Sequence, residues 1–277
     1  GQISRVYSVR LDAHCDEKAF AEKLQVPFVR YKENVEPEIP CGEKRMEHRP
    51  VVVGLGPAGL FAAYTLAKYG YRPIVLERGG DMDERDRAVD RFWSGGALDP
   101  ECNIQFGEGG AGAYSDGKLT TRIGDALCET VLKTLAEHGA PADIVKKAKP
   151  HVGTDILTGV VRQMRQEIVK YGGEVHFRTA LTGVSVKNGV LSGVRADGMD
   201  IPCERAVLAV GHSARDTFFA LHENGVYFEP KAFSVGVRIE HLQRDIDRAL
   251  YGKHAGHPLL PPAEPIWLDC WERLITS

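Results

Sequence analysis

The sequence lacks several features that would place it at once in a particular class of proteins. Its 277 residues contain 35 Lys and Arg against 38 Asp and Glu, so no basic surplus indicates a nucleic-acid partner. No apolar run approaches the roughly 18 residues that a membrane-spanning helix needs, and no signal peptide is visible at the N-terminus. We therefore expect a soluble, cytoplasmic protein with no nucleic-acid and no membrane partner.

Closely spaced cysteines are also absent. The six cysteines lie at positions 15, 41, 102, 128, 203 and 270, without a CxxC pair or a Cys/His cluster at zinc-ligand spacing. Scattered thiols are typical of a reduced cytosolic protein, and they exclude a dithiol–disulfide reductase. We predict no metal site.

The first 48 residues predict a small αβ region that ends in a linker. Residues 5–11 alternate as in a strand, residues 16–24 form a short helix with acidic residues in its first turn, and residues 28–31 form a second strand. Residues 34–50 carry three prolines and many charges, a composition that indicates a domain boundary.

The strongest signal is a strand–turn–helix–strand unit in residues 51–78. Three valines predict a buried strand, and Gly54, Gly56 and Gly59 form GxGxxG at the turn into a helix. Gly54 permits the tight turn, Gly56 lets a pyrophosphate approach the backbone, and Gly59 allows close packing of helix and strand. The helix N-terminus favours the negative charge of a diphosphate.

Glu77 closes the second strand of this unit and is predicted to accept hydrogen bonds from an adenosine ribose. Its charge would repel a 2′-phosphate, which argues against NADP at this site. FAD and NAD both present an ADP half to such a unit, so these residues leave both ligands open.

A second glycine-rich segment favours FAD. Residues 107–117 contain five glycines, a density typical of a backbone that lies against a flat ligand and exposes its N–H groups. A flexible surface loop is the alternative, against which the neighbouring Phe106 and Tyr114 argue. A regular NAD-binding domain would instead continue its strand–helix alternation directly after Glu77.

The rest of the sequence continues a mixed pattern. Predicted helices cover residues 125–138 and 155–171, and predicted strands cover residues 174–178, 181–187, 190–196 and 206–210. Asn188 and Gly189 predict a hairpin turn between two of these strands. Gly211 follows the last strand, where the chain leaves the sheet.

These motifs resemble the two-dinucleotide-binding-domain flavoproteins of the glutathione-reductase-like superfamily. The segments FGEGGAGAYSDGKLTTR, HVGTD, VLAVGHSARDTF and FSVGVRIEH are similar to a bacterial family of uncharacterised FAD-dependent dehydrogenases. The resemblance implies an α/β fold, with a Rossmann-like FAD/NAD(P)-binding domain around a central parallel sheet at residues 49–216. A small αβ remnant at residues 1–48 would precede it, and an incomplete substrate or cap domain at residues 217–277 would follow.

The resemblance also implies a set of cofactor-binding residues. The diphosphate would lie at the GxGxxG turn and near Gly211, the ribose at Glu77 and the adenine against the backbone of Leu181. The loop at residues 107–118 would face the ribityl chain or the isoalloxazine. The predicted set is Gly54, Gly56, Pro57, Ala58, Gly59, Glu77, Arg78, Gly109, Gly110, Ala111, Lys118, Leu181 and Gly211.

No catalytic acid or base is predicted. His212, Ser213 and Arg215 follow a strand end and are candidates for contact with flavin or substrate, whereas the alternative makes Ser213 a helix N-cap and Arg215 a surface residue. The arginines of the acidic stretch after Glu77 are predicted to lie on a solvated helix face. They are Arg85, Arg87 and Arg91.

The sequence leaves three functions open. The first is a FAD-dependent dehydrogenase that transfers a hydride from a small-molecule substrate to flavin N5, with NAD(P) as an electron partner. The alternatives are a nucleotide-binding fragment without turnover and an NAD-only module. Because the sequence opens with Gly1 and the family pattern dissolves after Gly252, we predict a truncated or frame-shifted chain that holds FAD weakly.

Overall fold

The computed structural model describes residues 42–115, 117–119, 121, 123–147, 150–232 and 240–263. Before residue 42 it describes residues 3, 4, 6, 7, 9, 11, 13–31, 33, 37, 39 and 40. The coordinates separate into two compact units, Gly1–Tyr227 and Phe228–Ser277.

The N-terminal region contains a helix and no strand among its described residues. Helix α1 covers Glu17–Leu24, and the carboxylate of Asp16 caps it by accepting a hydrogen bond from the Ala19 N–H at 3.1 Å. The predicted strands at residues 5–11 and 28–31 are wrong wherever the structure describes them. Tyr7, Val9 and Leu11, the apolar residues of the alternating face, are 73%, 74% and 80% exposed, so the alternation does not bury that face.

A parallel sheet forms the centre of the first unit, as predicted. Its four strands are β1 Val51–Val53, β2 Ile74–Leu76, β3 Glu174–His176 and β7 Ala206–Leu208. They lie in the order β3, β2, β1, β7, and all three pairings are parallel. Val52 of β1 pairs in register with Val75 of β2 and Val207 of β7. The valines of β1 are fully or almost fully buried, since both faces of a parallel sheet are covered.

Three helices pack with β1 and β2 in one hydrophobic core. Helix α5 contributes a buried stripe of Val160, Val161, Met164 and Ile168 at helical spacing. It begins at Thr154, one residue before the predicted start at residue 155, and its N-cap is Gly153. The helices are α2 Pro57–Lys68, α4 Leu127–Glu137 and α5 Thr154–Lys170.

Helix α3, Met82–Trp93, begins after Asp81, which accepts a hydrogen bond from the Glu84 N–H at 3.0 Å. Arg87 and Arg91 are exposed on its surface, as predicted. The prediction is wrong for Arg85, which is completely buried because a later segment of the chain folds over it.

A second, antiparallel sheet contains β4 Leu181–Lys187, β5 Val190–Ala196 and β6 Met199–Pro202 in that order. The predicted hairpin turn is present, with positive φ at Asn188 and Gly189. Helix α6, Arg215–Glu223, packs against β4.

The second unit contains helix α7, Gln243–Tyr251. The Asp247 carboxylate accepts hydrogen bonds from Gln243 Nε2 at 2.9 Å and from the Ala263 N–H at 2.7 Å. Most of the FSVGVRIEH motif lies outside the described residues. Within the described part of the chain, every helix is too short or too polar to cross a membrane.

Two of the GxGxxG glycines are required by packing within the protein. Gly54 has a φ of +94°, and a Cβ there would overlap the carbonyl oxygen of Ala209. A Cβ at Gly59 would overlap the carbonyl oxygen of Gly54. Both positions therefore perform the turn and packing tasks that the motif predicts.

We expect Gly59→Ala to lower the free energy of unfolding by about 1–3 kcal/mol, because the added methyl group collides with the backbone of Gly54. Gly159 is the matched control, since it lies inside helix α5 and a Cβ added there would have nothing within 4 Å. Gly159→Ala should raise the free energy of unfolding by about 0.5–1 kcal/mol. Urea denaturation followed by circular dichroism measures both, and equal effects would contradict the packing role of Gly59.

Candidate functional site

A cavity of about 360 Å³ lies at the carboxyl ends of β1, β2 and β7. Its walls come from residues that directly follow these three strands, together with part of the glycine-rich segment. In open α/β sheets, ligands bind at this edge, where the strand order changes direction. The volume lies in the range of small-molecule sites.

Most of the predicted cofactor-binding residues line this cavity. They are Gly54, Gly56, Pro57, Ala58, Glu77, Arg78, Gly110, Ala111, Leu181 and Gly211. The other three lie elsewhere: Gly59 packs against Gly54, the Gly109 N–H donates to the Leu55 carbonyl at 2.9 Å, and Lys118 forms an isolated antiparallel bridge with His151.

The cavity also has lining residues that the sequence analysis did not select. Gln105 and Phe106 belong to the segment before the glycines, and their position next to the motif was a usable signal. Thr179 and Thr217 carry no local signal, because they come from a turn after β3 and from helix α6.

The glycine loop, which we define as residues 103–112, packs tightly against the turns that follow β1 and β2. A Cβ at Gly79 would lie 2.5 Å from the backbone of Gly107, and one at Gly110 would lie 2.8 Å from the Cα of Gly56. Each of these added Cβ atoms would overlap backbone atoms, so Gly79 and Gly110 do not tolerate a side chain. The alternative of a flexible surface loop is therefore wrong for this segment.

Gly56 differs from the other two glycines of the motif. Its φ is −72°, which any residue can adopt, and a Cβ would meet only the Cα of Gly110 at an ordinary 3.7 Å. Protein packing therefore does not require glycine at this position. Because Gly56 lines the cavity, the absence of a side chain leaves room there for something other than the protein.

The N-terminus of helix α2 provides positive potential at the same place. Gly56 is its N-cap, Pro57 is its first residue, and no side chain of the described residues caps it. Unpaired N–H groups and the helix dipole make such an end favourable for an anion.

The Glu77 carboxylate joins three backbone segments. It is 4% exposed, and its Oε2 accepts a hydrogen bond from the Leu55 N–H at 2.7 Å. Its Oε1 accepts from the N–H groups of Gly79 at 2.8 Å and Gly107 at 2.9 Å. An ionised carboxylate offers about four acceptor positions, so one remains for a ligand hydroxyl. The main partners of Glu77 in this structure are the turn and the glycine loop.

The Arg78 guanidinium lies on the cavity wall with most of its donors already committed. It donates in bidentate fashion to Glu101 at 2.9 and 3.1 Å and to Asp216 at 2.7 and 2.9 Å. Its central carbon lies 4.3 Å from the ring centroid of Phe106. The hydrogen bond from Arg78 holds the pKa of Asp216 below its ordinary value. Arg78 therefore links the end of β2 to helix α6 and leaves little capacity for a phosphate.

His212 and Ser213 line the cavity next to Gly211. The hydroxyl of Ser213 lies 2.6 Å from His212 Nδ1 and 3.4 Å from Gln105 Oε1. The N-cap of α6 is Ala214, so the interpretation of Ser213 as the cap is wrong. Arg215 is exposed in the first turn of α6 and does not line the cavity.

Fold and site together define a Rossmann-like α/β protein with a ligand-sized cavity at the strand ends. Residues 232–266 match a family described as "FAD-dependent protein, C-terminal domain-like". A protein of Clostridium beijerinckii, described as "Uncharacterized protein", is 50% identical over 249 residues. That match covers 90% of this chain and 47% of the relative, so the chain spans about half the length of the curated relative it matches.

Several solved structures resemble part of the chain. THI4 of Thermovibrio ammonificans is 20% identical with a TM-score of 0.41, over 64% of this chain and 60% of its own. Glycine oxidase from Bacillus cereus is 12% identical with a TM-score of 0.38, over 58% and 56%. An L-amino acid deaminase from Proteus vulgaris is 14% identical with a TM-score of 0.39, over 65% and 56%.

We expect Glu77→Gln to lower the free energy of unfolding by about 1–3 kcal/mol, because the amide NH₂ group faces at least one buried N–H that then has no acceptor. Urea denaturation at neutral pH measures the loss. Glu101→Gln is the control, since the Glu101 side chain is half exposed and should change stability by about 1 kcal/mol or less. Equal losses in both variants would contradict the special role of Glu77.

Proposed function

We propose that this chain is the nucleotide-binding part of a FAD-dependent oxidoreductase and that its cavity holds the ADP half of FAD. The observation that carries the proposal is Gly56, a glycine that protein packing does not require, facing a cavity at the uncapped end of α2. A pyrophosphate that approaches the backbone is the physical reason for a glycine in that position.

The residues of the cavity suit the parts of an ADP group. Gly56, Ala58 and Gly110 would face the diphosphate, because backbone N–H groups and the α2 dipole favour negative charge there. The remaining acceptor position of Glu77 would take a ribose hydroxyl. Leu181 and Thr179 line the same cavity and would lie beside the adenine.

Two features support FAD as the dinucleotide. The family matched by residues 232–266 is described as FAD-dependent. The glycine loop packs against the turn after β1, so the cavity is walled by a segment that regular strand–helix alternation does not supply. Bound FAD would supply a ring that accepts a hydride equivalent at N5 from a small-molecule substrate. NAD(P) is the electron partner that this chemistry would suit.

Two measurements test the assignment on the purified chain. Cofactor extraction with mass analysis identifies the bound nucleotide, and titration with FAD gives its affinity. An NAD-only module would bind NAD and not FAD, which would overturn the flavin assignment. Reduction of an artificial electron acceptor separates an oxidoreductase from a nucleotide-binding fragment without turnover.

We expect Gly56→Ala to weaken the binding of FAD and of 5′-ADP at least about tenfold, or about 1.4 kcal/mol. The added methyl group occupies the space that the diphosphate needs, whereas the ordinary φ of Gly56 leaves the fold unstrained. Isothermal titration calorimetry measures affinity, and urea denaturation checks stability. Gly159→Ala serves as the control with parental affinity, and unchanged ADP affinity in Gly56→Ala would overturn the placement of the diphosphate.

We expect the chain to bind 5′-AMP at least about tenfold more tightly than 2′,5′-ADP, which differs from it only by the 2′-phosphate. The donors of Arg78 are committed to Glu101 and Asp216, and Glu77 adds a further negative charge beside them. The double variant Glu101→Gln, Asp216→Asn frees Arg78 and should narrow this preference. Calorimetry with both nucleotides measures the ratio, and similar affinities in the parent chain would contradict the prediction.

A further inference from the structure

The glycine loop needs hydrogen-bond donors from other parts of the chain. Its first part, residues 103–110, contains no helix or strand, so its carbonyl groups need hydrogen-bond donors from elsewhere. Loops without such partners are mobile and lie on the surface. This loop is instead packed against the turns after β1 and β2.

Arg85 supplies donors for three of these carbonyls. Its side chain is completely buried, and its Nε donates to the carbonyl of Asn103 at 2.9 Å. Its Nη1 donates to the carbonyl of Glu108 at 2.6 Å, and its Nη2 donates to that of Ile104 at 2.7 Å. A planar guanidinium with several fixed donors can hold three carbonyls at once, which a lysine ammonium cannot do with the same geometry.

The loop is shaped to accept this arginine. A Cβ at Gly107 would lie 2.6 Å from Arg85 Cδ, and Gly107 has a φ of +120°. The ring of Tyr114 lies 4.6 Å from the guanidinium carbon of Arg85. Gly107 also donates its N–H to Glu77 at 2.9 Å. Arg85 and Glu77 therefore both hold the loop, Arg85 through its carbonyl groups and Glu77 through the Gly107 N–H.

An ion pair between Glu108 and Arg165 also holds the loop. Glu108 is completely buried, and its Oε1 accepts from Arg165 Nε of helix α5 at 2.6 Å. Its Oε2 accepts from the Met82 N–H at 2.8 Å. Helices α3 and α5 thus each contribute one arginine to the loop, and both buried carboxylates nearby have donors.

Arg85 does not line the cavity, but the loop that it holds does. Gly107, Gly110 and Gly112 lie on the cavity wall, and Gly110 contacts Gly56 at the turn assigned to the diphosphate. We propose that Arg85 is a positioning residue for dinucleotide diphosphate binding, acting through the glycine loop. The proposal rests on the proposed function of the cavity.

The test compares Arg85→Met and Arg85→Lys with the parent chain, using 5′-ADP and adenosine as ligands. Arg87→Met is the matched control, because Arg87 is exposed on the same helix and donates only to the carbonyl of Asp83 among the described partners. Ligand-observed NMR titration measures both affinities at a temperature where circular dichroism shows each variant folded.

We expect Arg85→Met to weaken 5′-ADP binding at least about tenfold and adenosine binding less than about threefold, because the loop lies at the diphosphate end. Arg85→Lys should resemble Arg85→Met, and Arg87→Met should resemble the parent. Equal losses for both ligands would overturn the proposal, since they would indicate a general structural defect. Full recovery in Arg85→Lys would also overturn it, since charge alone would then be sufficient.

A further measurement applies to the parent chain and needs no variant. Bound 5′-ADP should slow hydrogen exchange of the amides in residues 103–112, and unchanged exchange would overturn the proposal even if the Arg85 variants do not fold. A parent chain that binds no 5′-ADP would instead reject the proposed function, so the two failures are distinguishable.

Discussion

The buried carboxylate of Glu77 is the interaction on which the candidate site depends. It accepts backbone hydrogen bonds from Leu55 after β1, Gly79 after β2 and Gly107 in the glycine loop. A buried carboxylate is costly unless donors surround it, and here the donors are three segments that must meet to form the cavity. The cavity is therefore assembled by the protein itself, which lowers the ordering cost of binding a ligand.

Glycine and arginine perform complementary tasks around this carboxylate. The absence of a side chain at Gly79 lets its backbone approach that of Gly107, and the absence of one at Gly110 lets the glycine loop approach the turn at Gly56. Such close backbones bring many carbonyl groups together, and the guanidinium of Arg85 satisfies three of them. Surface ion pairs contribute little to stability. The donors of Arg85, in contrast, are buried and point at particular carbonyl groups, so they determine the geometry of the loop.

Most of the cofactor-binding residues predicted from the sequence line the cavity, because the central part of the cavity is built from one local unit. The valines of β1, the spacing of the three motif glycines and Glu77 all lie within one continuous unit, and each has a physical reason for its position. The strand predictions at residues 5–11 and 28–31 were wrong where the structure describes them, because alternation shows only that a segment could pair. Strand β6 was not predicted, since its sequence Met-Asp-Ile-Pro contains an aspartate and a proline, which strands disfavour.

The sequence by itself determined the strand–turn–helix–strand unit, the two packing glycines of its turn and the helix dipole at that turn, because these depend on neighbouring residues. Tertiary structure decided the rest. It turned Arg85 inward from a helix whose charges predict a solvated face, and it brought Thr179 and Thr217 to one wall. The physical reason is that burial and hydrogen-bond partners come from segments distant in the chain, and no local pattern records which segments will meet.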